Sequence, residues 1–461
     1  MTARIEPTNF GLYAIVSGLC VAVGLLAGIE PKLAIVASLG IGFVLLVLMD
    51  LALGVALFGF FSFLEILHLG SAISVGKLGG ALLALGWVAY LLTNEDSRSD
   101  FFNVHPGVST IFGLFLGWVA ISSLWAEDGH LAFTACGRYL LNILLFFIVF
   151  SAVRNRHQAT MVIVGFVAGA VAAGLYGLNT DTQQVYGGRL SGAGLDPNEL
   201  ASALVAGIAL SAGLAVGMGR HLGLRLALIA AASFCFLSTL FTGSRGGLIA
   251  LGAMLVAGIV FGGRWRGRIA VTATCLACFA AFYVVALAPQ EIHDRILSSS
   301  QGETQVEEGR TTLWQIAERM VEAHPIEGVG ADNFQTSSRH YLLEPGTVFR
   351  SDVIIETPQV THNTYLQVAA ELGFVGLGLL ALIILFSLRC ALVAARIFQR
   401  VGDAGGEALA RGVLMGLIGV LVADAFISQQ FNKQLWLMLG IGPAILAMAK
   451  RETEDASPGR A

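Results

Sequence analysis

The chain has 461 residues, of which 56% are hydrophobic and only 13% charged, and its net charge is −4. Soluble domains carry about 25% charged residues, and a core of ordinary size cannot hide this much apolar surface. The composition therefore excludes most soluble folds, a disordered chain and a nucleic-acid binder. It predicts an all-α fold, a polytopic bundle of transmembrane helices in a lipid bilayer.

A helix that crosses a bilayer needs about 20 apolar residues, within a range of roughly 17–25. In chain order, uncharged runs fall at 10–29, 33–49, 51–68, 75–93, 107–125, 131–153, 158–178, 198–217, 222–242, 245–263, 268–288, 364–392, 409–428 and 433–449. They predict about 12–14 spans. The first run follows a single early charge, Arg4, and is long enough to span, so it reads as a retained helix rather than a signal peptide. Only Asp50 separates 33–49 from 51–68, which leaves two spans, one bent helix or a re-entrant hairpin open there.

The chain then divides into N-terminal helices (1–178), helices with a short loop bearing Arg189 (179–288), a large polar segment (289–361), C-terminal helices (362–449) and a charged tail (450–461). With alternating sides, sixteen Lys and Arg fall on the side of the termini and five on the short loops opposite. The excess of positive charge on the inner side then places both termini in the cytoplasm and 289–361 on the outer face. Segment 289–361 is too long for a passive hairpin. Leu313, Ile316, Ala317, Met320 and Val321 recur within 311–323 at helical spacing, which predicts an amphipathic helix ended by Pro325.

The six cysteines lie in apolar runs, and the Cys275-x-x-Cys278 string sits inside one, so they read as packing residues. No phosphate-binding glycine loop, HExxH, GxSxG or Asp-x-Asp string is present. No cofactor and no metal site is expected.

The informative charges lie at the predicted outer mouth. Arg189 stands in GGRLSGAGLDPNELA, among glycines that let backbone approach a ligand. Asp196 and Asn198 flank Pro197 at the start of the next helix, a pattern that capping alone explains. Arg245 stands in the turn TGSRGGL, where a guanidinium suits bidentate binding of phosphate. Arg310 is read as opening the amphipathic helix, where the helix dipole disfavours a cation, so an external anion is expected. His362 begins HNTYLQVAAELGFVG and can act as a general base. Asn363 follows it, while Glu371 lies about 14 Å further along a straight helix and cannot form a direct dyad with His362. Arg138 is the one arginine well inside a predicted span; it pairs with Glu371, Glu65 or Asp424, or faces a wet cavity.

These strings resemble the O-antigen ligase/polymerase superfamily of membrane glycosyltransferases. The similarity runs from about 180 to 445 and rests on the Arg189–Asn198 region, the SRGG turn, Arg310 with HPIEGVGADNF, and His362-Asn363 followed by Gly373 and Gly376. The resemblance implies a glycan donor linked to undecaprenyl diphosphate, with lipid A-core, another glycan or a protein as acceptor, and an inverting, metal-independent transfer. It implies His362 as base, Arg189 and Arg245 on the diphosphate, and Arg310, Asn363, Arg138, Asp196 and Asn198 as supporting or acceptor-side residues. The long loop, with Trp314, Phe334 and Tyr341, would present acceptor surface. Polymerases and protein O-oligosaccharyltransferases share these strings. Outside the superfamily, Arg138 keeps a transporter open, although the chain shows no repeated halves; a structural envelope subunit would leave Arg189, Arg245 and His362 unexplained.

Overall fold

The computed structural model describes residues 7–64, 66, 68–69, 73–93, 101, 104–180, 186–218, 221–297, 301–343, 348 and 350–455. Arg4, Glu65, Arg98, Arg220 and Arg460 lie outside the described residues. Among the described residues the chain is helical apart from one hairpin, in which His68–Leu69 pairs antiparallel with Ile73–Ser74.

The first helices are α1 (Pro7–Ile29), α2 (Pro31–Met49), α3 (Leu51–Phe61), α4 (Val75–Thr93), α5 (Pro106–Ile121), α6 (Gly129–Ala152) and α7 (Arg156–Leu178). There follow α8 (Pro197–Gly217), α9 (Leu222–Phe241), α10 (Arg245–Phe261) and α11 (Arg266–Phe282). The long polar segment holds α12 (Gln290–Leu297), α13 (Gln301–Ala323), α14 (Phe334–Leu342) and α15 (Asp352–Ile355). The chain ends in α16 (Thr364–Val401), α17 (Ala404–Ala423) and α18 (Lys433–Asp455).

Every apolar run read from the sequence coincides with a helix, but length sorts them. Among the described residues, eight segments are long and apolar enough to cross a membrane: 106–124, 129–152, 156–178, 197–217, 222–241, 263–287, 364–401 and 404–423. Run 51–68 is helical only over α3, whose eleven residues cover about 16 Å, half a bilayer core. The chain leaves helical backbone at Asp50 (φ −148°), whose carboxylate caps α3 by accepting from the N–H groups of Ala52 and Leu53, so α2 and α3 are two helices rather than one bent one.

α8 and α17 form the centre: 83% of each span is buried, against 17% for 263–287 at the periphery. They approach through small residues. A Cβ on Gly412 would stand 2.8 Å from the Ala209 carbonyl oxygen, and one on Gly213 would stand 2.8 Å from that of Ala408. Such contacts bring helix backbones together where hydrophobic collapse offers no drive. Because α17 begins at Ala404, Arg411 also falls inside a span. Arg411 is buried two turns in, and its Nε donates to Glu407 (2.9 Å), whose other oxygen meets Arg264 (2.6 Å).

The feature that positions the site is a break in α16. Gly373 adopts φ +65°, ψ −172°, a conformation essentially reserved for glycine. The carbonyls released there are taken up from outside the helix. Val329 N–H donates to Ala370 (2.9 Å), Gly330 N–H to Glu371 (2.8 Å), and the Trp118 indole to Leu372 (2.9 Å). In return, Phe374 N–H donates to Pro325 (2.8 Å). Residues 325–330 thus lie against the broken helix like a short strand, and a Cβ on Gly373 would overlap the Ile326 carbonyl oxygen. Gly373→Ala is expected to lower the melting temperature of the detergent-solubilised protein sharply, since the backbone strain alone costs about 1–3 kcal/mol. Gly378→Ala, five residues on in open space, should be neutral or slightly stabilising. Equal melting temperatures for the two variants would refute the assignment.

Candidate functional site

Arg189 follows two residues with positive φ, Gly187 and Gly188, which turn the chain back into the bundle. Its side chain is buried, only 9% exposed, at the end of α9. There Nε donates to the Thr242 carbonyl (2.8 Å) and Nη2 to Asn198 Oδ1 (3.0 Å). Asn198 Oδ1 also accepts from Ser244 Oγ (2.8 Å), so one amide ties Arg189 to the SRGG turn. Asp196 and Glu199 form a complete capping box on α8, as the capping pattern predicts. Asp196 has a second role, since its charge acts on both Arg189 and His362.

Ser244 caps α10, which puts Arg245 at the first helical position. The turn is wedged: a Cβ on Gly246 would stand 2.8 Å from Phe426, and one on Gly247 2.6 Å from Ala201. Arg245 Nε donates to the Arg295 carbonyl (2.7 Å), which staples α12 over the turn. Arg295 is the residue the sequence reading missed. It lies in the polar string QEIHDRIL, where only its being the last-turn cation of an amphipathic helix marked it.

Arg310 does not open the amphipathic helix. α13 starts at Gln301, so Arg310 is interior and the argument from the dipole lapses. The amphipathic face itself is as predicted, with Leu313, Ile316, Ala317 and Met320 fully buried. Arg310 acts through its field: burial first, then Arg295 and to a smaller extent Arg310, lower the Arg189 pKa to about 10, opposed by Asp196. Burial first, and then the Arg310 cation, also lower the pKa of His362, again opposed by Asp196.

His362 has φ +51°, one of two non-glycine residues with positive φ among the described residues. Such backbone is held only when its surroundings over-determine it. Here they do. Thr361 Oγ donates to the Asn363 carbonyl (2.8 Å), Asn363 caps α16, and Thr364 N–H donates to the Asp424 carbonyl (2.8 Å). Trp314 Nε1 donates to the Thr361 carbonyl (2.9 Å), which brings α13 against the same loop. Among the described residues no hydrogen bond engages the His362 ring. Glu371 does not touch it, as expected, but is linked to the loop through Gln367, whose Nε2 donates to Glu371 (2.9 Å) and whose Oε1 accepts from Thr361 (3.4 Å).

Arg189, Arg245, Arg295, Arg310, Asp196, Asn198 and His362 therefore share one neighbourhood. Arg138 does not join it. It pairs with Asp332, none of its expected partners, and its guanidinium lies 4.0 Å from the centre of the Phe431 ring. Glu371 contributes one step removed, accepting from the Asp332 N–H (2.9 Å), while both carboxylate oxygens of buried Asp424 lack a hydrogen-bond partner among the described residues. Arg138 thus fastens the loop to α6. Of the loop aromatics, Phe334 is fully buried core rather than acceptor surface.

Residues 226–381 match the family model described as O-antigen ligase. The match takes in Arg245, Arg295, Arg310, His362 and the Gly373 break, and stops short of Arg189 and Asn198, which reach the same place through the fold. No match to a curated protein was found.

Asn198→Ala should strip acceptors from both Arg189 and Ser244 and destabilise the protein by about 1–3 kcal/mol, read as a fall in melting temperature. Asn198→Asp, which keeps the acceptor, should recover most of that loss.

Proposed function

We propose that the protein transfers a glycan from an undecaprenyl-diphosphate donor to an acceptor hydroxyl, at the periplasmic face of a bacterial inner membrane, with both termini cytoplasmic. The observation that carries this reading is that Arg310 acts on both Arg189 and His362, with Arg295 beside Arg189 and Arg245 bonded to the Arg295 carbonyl, while the His362 ring is unengaged and burial and Arg310 lower its pKa. Like charges gathered at one place favour an anion, and guanidinium groups match phosphate oxygens in pairs. The O-antigen ligase match supports a lipid-linked glycan as the source of that anion.

The chemistry follows from the charges. His362, neutral at pH 7, accepts the proton of the acceptor hydroxyl as its oxygen attacks the anomeric carbon. The bond from that carbon to the phosphate oxygen breaks, its electron pair leaves with the lipid diphosphate, and the configuration inverts. The arginines stabilise the charge growing on the leaving group. The glycosyl–phosphate bond is already activated, because lipid diphosphate is a good leaving group, so no nucleotide is consumed. A repeat-unit polymerase or a protein O-oligosaccharyltransferase would use the same groups with another acceptor. The transporter reading loses its support, because Arg138 is engaged by Asp332 and Phe431.

His362→Ala should reduce transfer by about 10²–10⁴-fold with the fold intact, and lipid-linked glycan should accumulate in membranes. Arg245→Lys should also be strongly impaired, because an ammonium cannot reproduce the fork; full activity would reduce Arg245 to a turn residue. With a lowered histidine pKa, activity should fall only as pH drops below the ordinary histidine value of about 6.5. Arg310→Gln removes a cation that disfavours protonation, so that acid limb should move to higher pH. An unmoved limb would dissociate His362 from the base role.

A further inference from the structure

A second pocket lies on the other flank of the loop that docks on α16, and shares no lining residue with the arginine set. Its volume is about 400 Å³, and Trp125, Glu127, His324, Glu327, His340 and Tyr341 line it. Clefts that hold small ligands run from about 300 to 1,000 Å³ and combine aromatic walls with a few placed polar groups.

The aromatic wall is fixed before any ligand arrives. The Trp125 indole donates to the Gly328 carbonyl (3.1 Å) and is flanked by Trp118, with ring centres 5.7 Å apart. The Tyr341 carbonyl accepts from Arg319 (2.7 Å). The polar rim is equally ordered. Glu127 Oε2 accepts from Ser337 Oγ (2.9 Å) and its Oε1 meets His340 Nε2 (3.2 Å), while His324 Nδ1 meets Glu327 Oε1 (3.0 Å). The side chains of Glu127 and Glu327 both remain 41% exposed, so each carboxylate keeps free lone pairs toward solvent.

An ionised carboxylate only accepts, so its ligand must bring O–H or N–H donors. A flat aromatic wall asks for an apolar face on the same ligand. A pyranose ring has both: a C–H face and a ring of hydroxyls. Two carboxylates repel phosphate and acidic sugars, the opposite preference to the arginine set. We propose that this pocket is a carbohydrate subsite that holds a neutral or amino-sugar ring of a substrate glycan, remote from the bond being made. That the glycan is a substrate rests on the transferase reading; binding by itself does not.

The test uses the full-length protein in nanodiscs, titrated with maltotriose, chitotriose and mannotriose, with trigalacturonate as the acidic control, and read by saturation-transfer NMR. At least one neutral trisaccharide should bind saturably, and trigalacturonate more weakly. Trp125→Ala and Glu127→Gln should each weaken binding by about tenfold. His340→Ala, at an exposed position, serves if Trp125→Ala fails to fold. Arg245→Lys should leave sugar binding intact whatever it does to transfer, which separates failure of this inference from failure of the transferase reading. In reconstituted transfer, a Glu127→Gln increase in the acceptor's KM would assign the ring to the acceptor, and one in the donor's KM to the donor glycan. No saturable binding of any neutral trisaccharide, binding unchanged in every pocket variant, or displacement by trilysine alone would overturn the proposal.

Discussion

Breaking a helix inside a membrane protein frees carbonyls that lipid cannot satisfy, and each must find a donor from the protein itself. At Gly373 the donors are the backbone N–H groups of Val329 and Gly330 and the indole of Trp118. This exchange makes a long polar segment an integral part of the bundle. Around it, Asp332 is delivered to Arg138 and Glu371, Asn333 bonds the Asp128 backbone in both directions, and Trp125 is set against Gly328. The docked loop thereby has two worked flanks, one toward His362 and one toward the aromatic pocket.

Cations are costly at such a place, and their number has a structural logic. Arg189 is buried with two neutral acceptors, the Thr242 carbonyl and the Asn198 amide, which fix its direction without neutralising it. Asp196 is partly committed to capping α8. Burial and the cations of Arg295 and Arg310 lower the Arg189 pKa to about 10, and burial with Arg310 lowers that of His362. Across the loop, Glu127 and Glu327 set the opposite preference. A single substrate with a charged head and a neutral glycan would meet complementary potentials at its two ends.

Much of the bundle was legible because bilayer thickness sets a length and apolarity that a sequence displays directly. The amphipathic face of α13 and the capping box at Asp196 were legible for the same reason, since both are patterns within a few residues. Arg138 shows where such reading ends. Its partner Asp332 lies in the polar loop, whereas the acids considered, Glu371, Glu65 and Asp424, all fall in predicted spans. Arg310 shows a second limit: helix boundaries in a polar segment have no apolar edge to mark them, and the true start at Gln301 changed the argument. Arg295 was invisible because its place depends on a backbone carbonyl that every residue possesses.

Composition and local pattern by themselves determined a polytopic helical membrane protein, a long polar segment with one amphipathic helix, and a short roster of cations and one histidine as its chemistry. Those properties follow from the cost of polar groups in lipid and from periodicity, both of which are local. Only the tertiary structure decided which cations lie near one another, that Arg138 is a fastener, that His362 is held in left-handed backbone with its ring unengaged, and that the loop docks on a broken helix. These depend on hydrogen bonds and fields between residues tens to hundreds of positions apart, and no spacing along the chain encodes such distances.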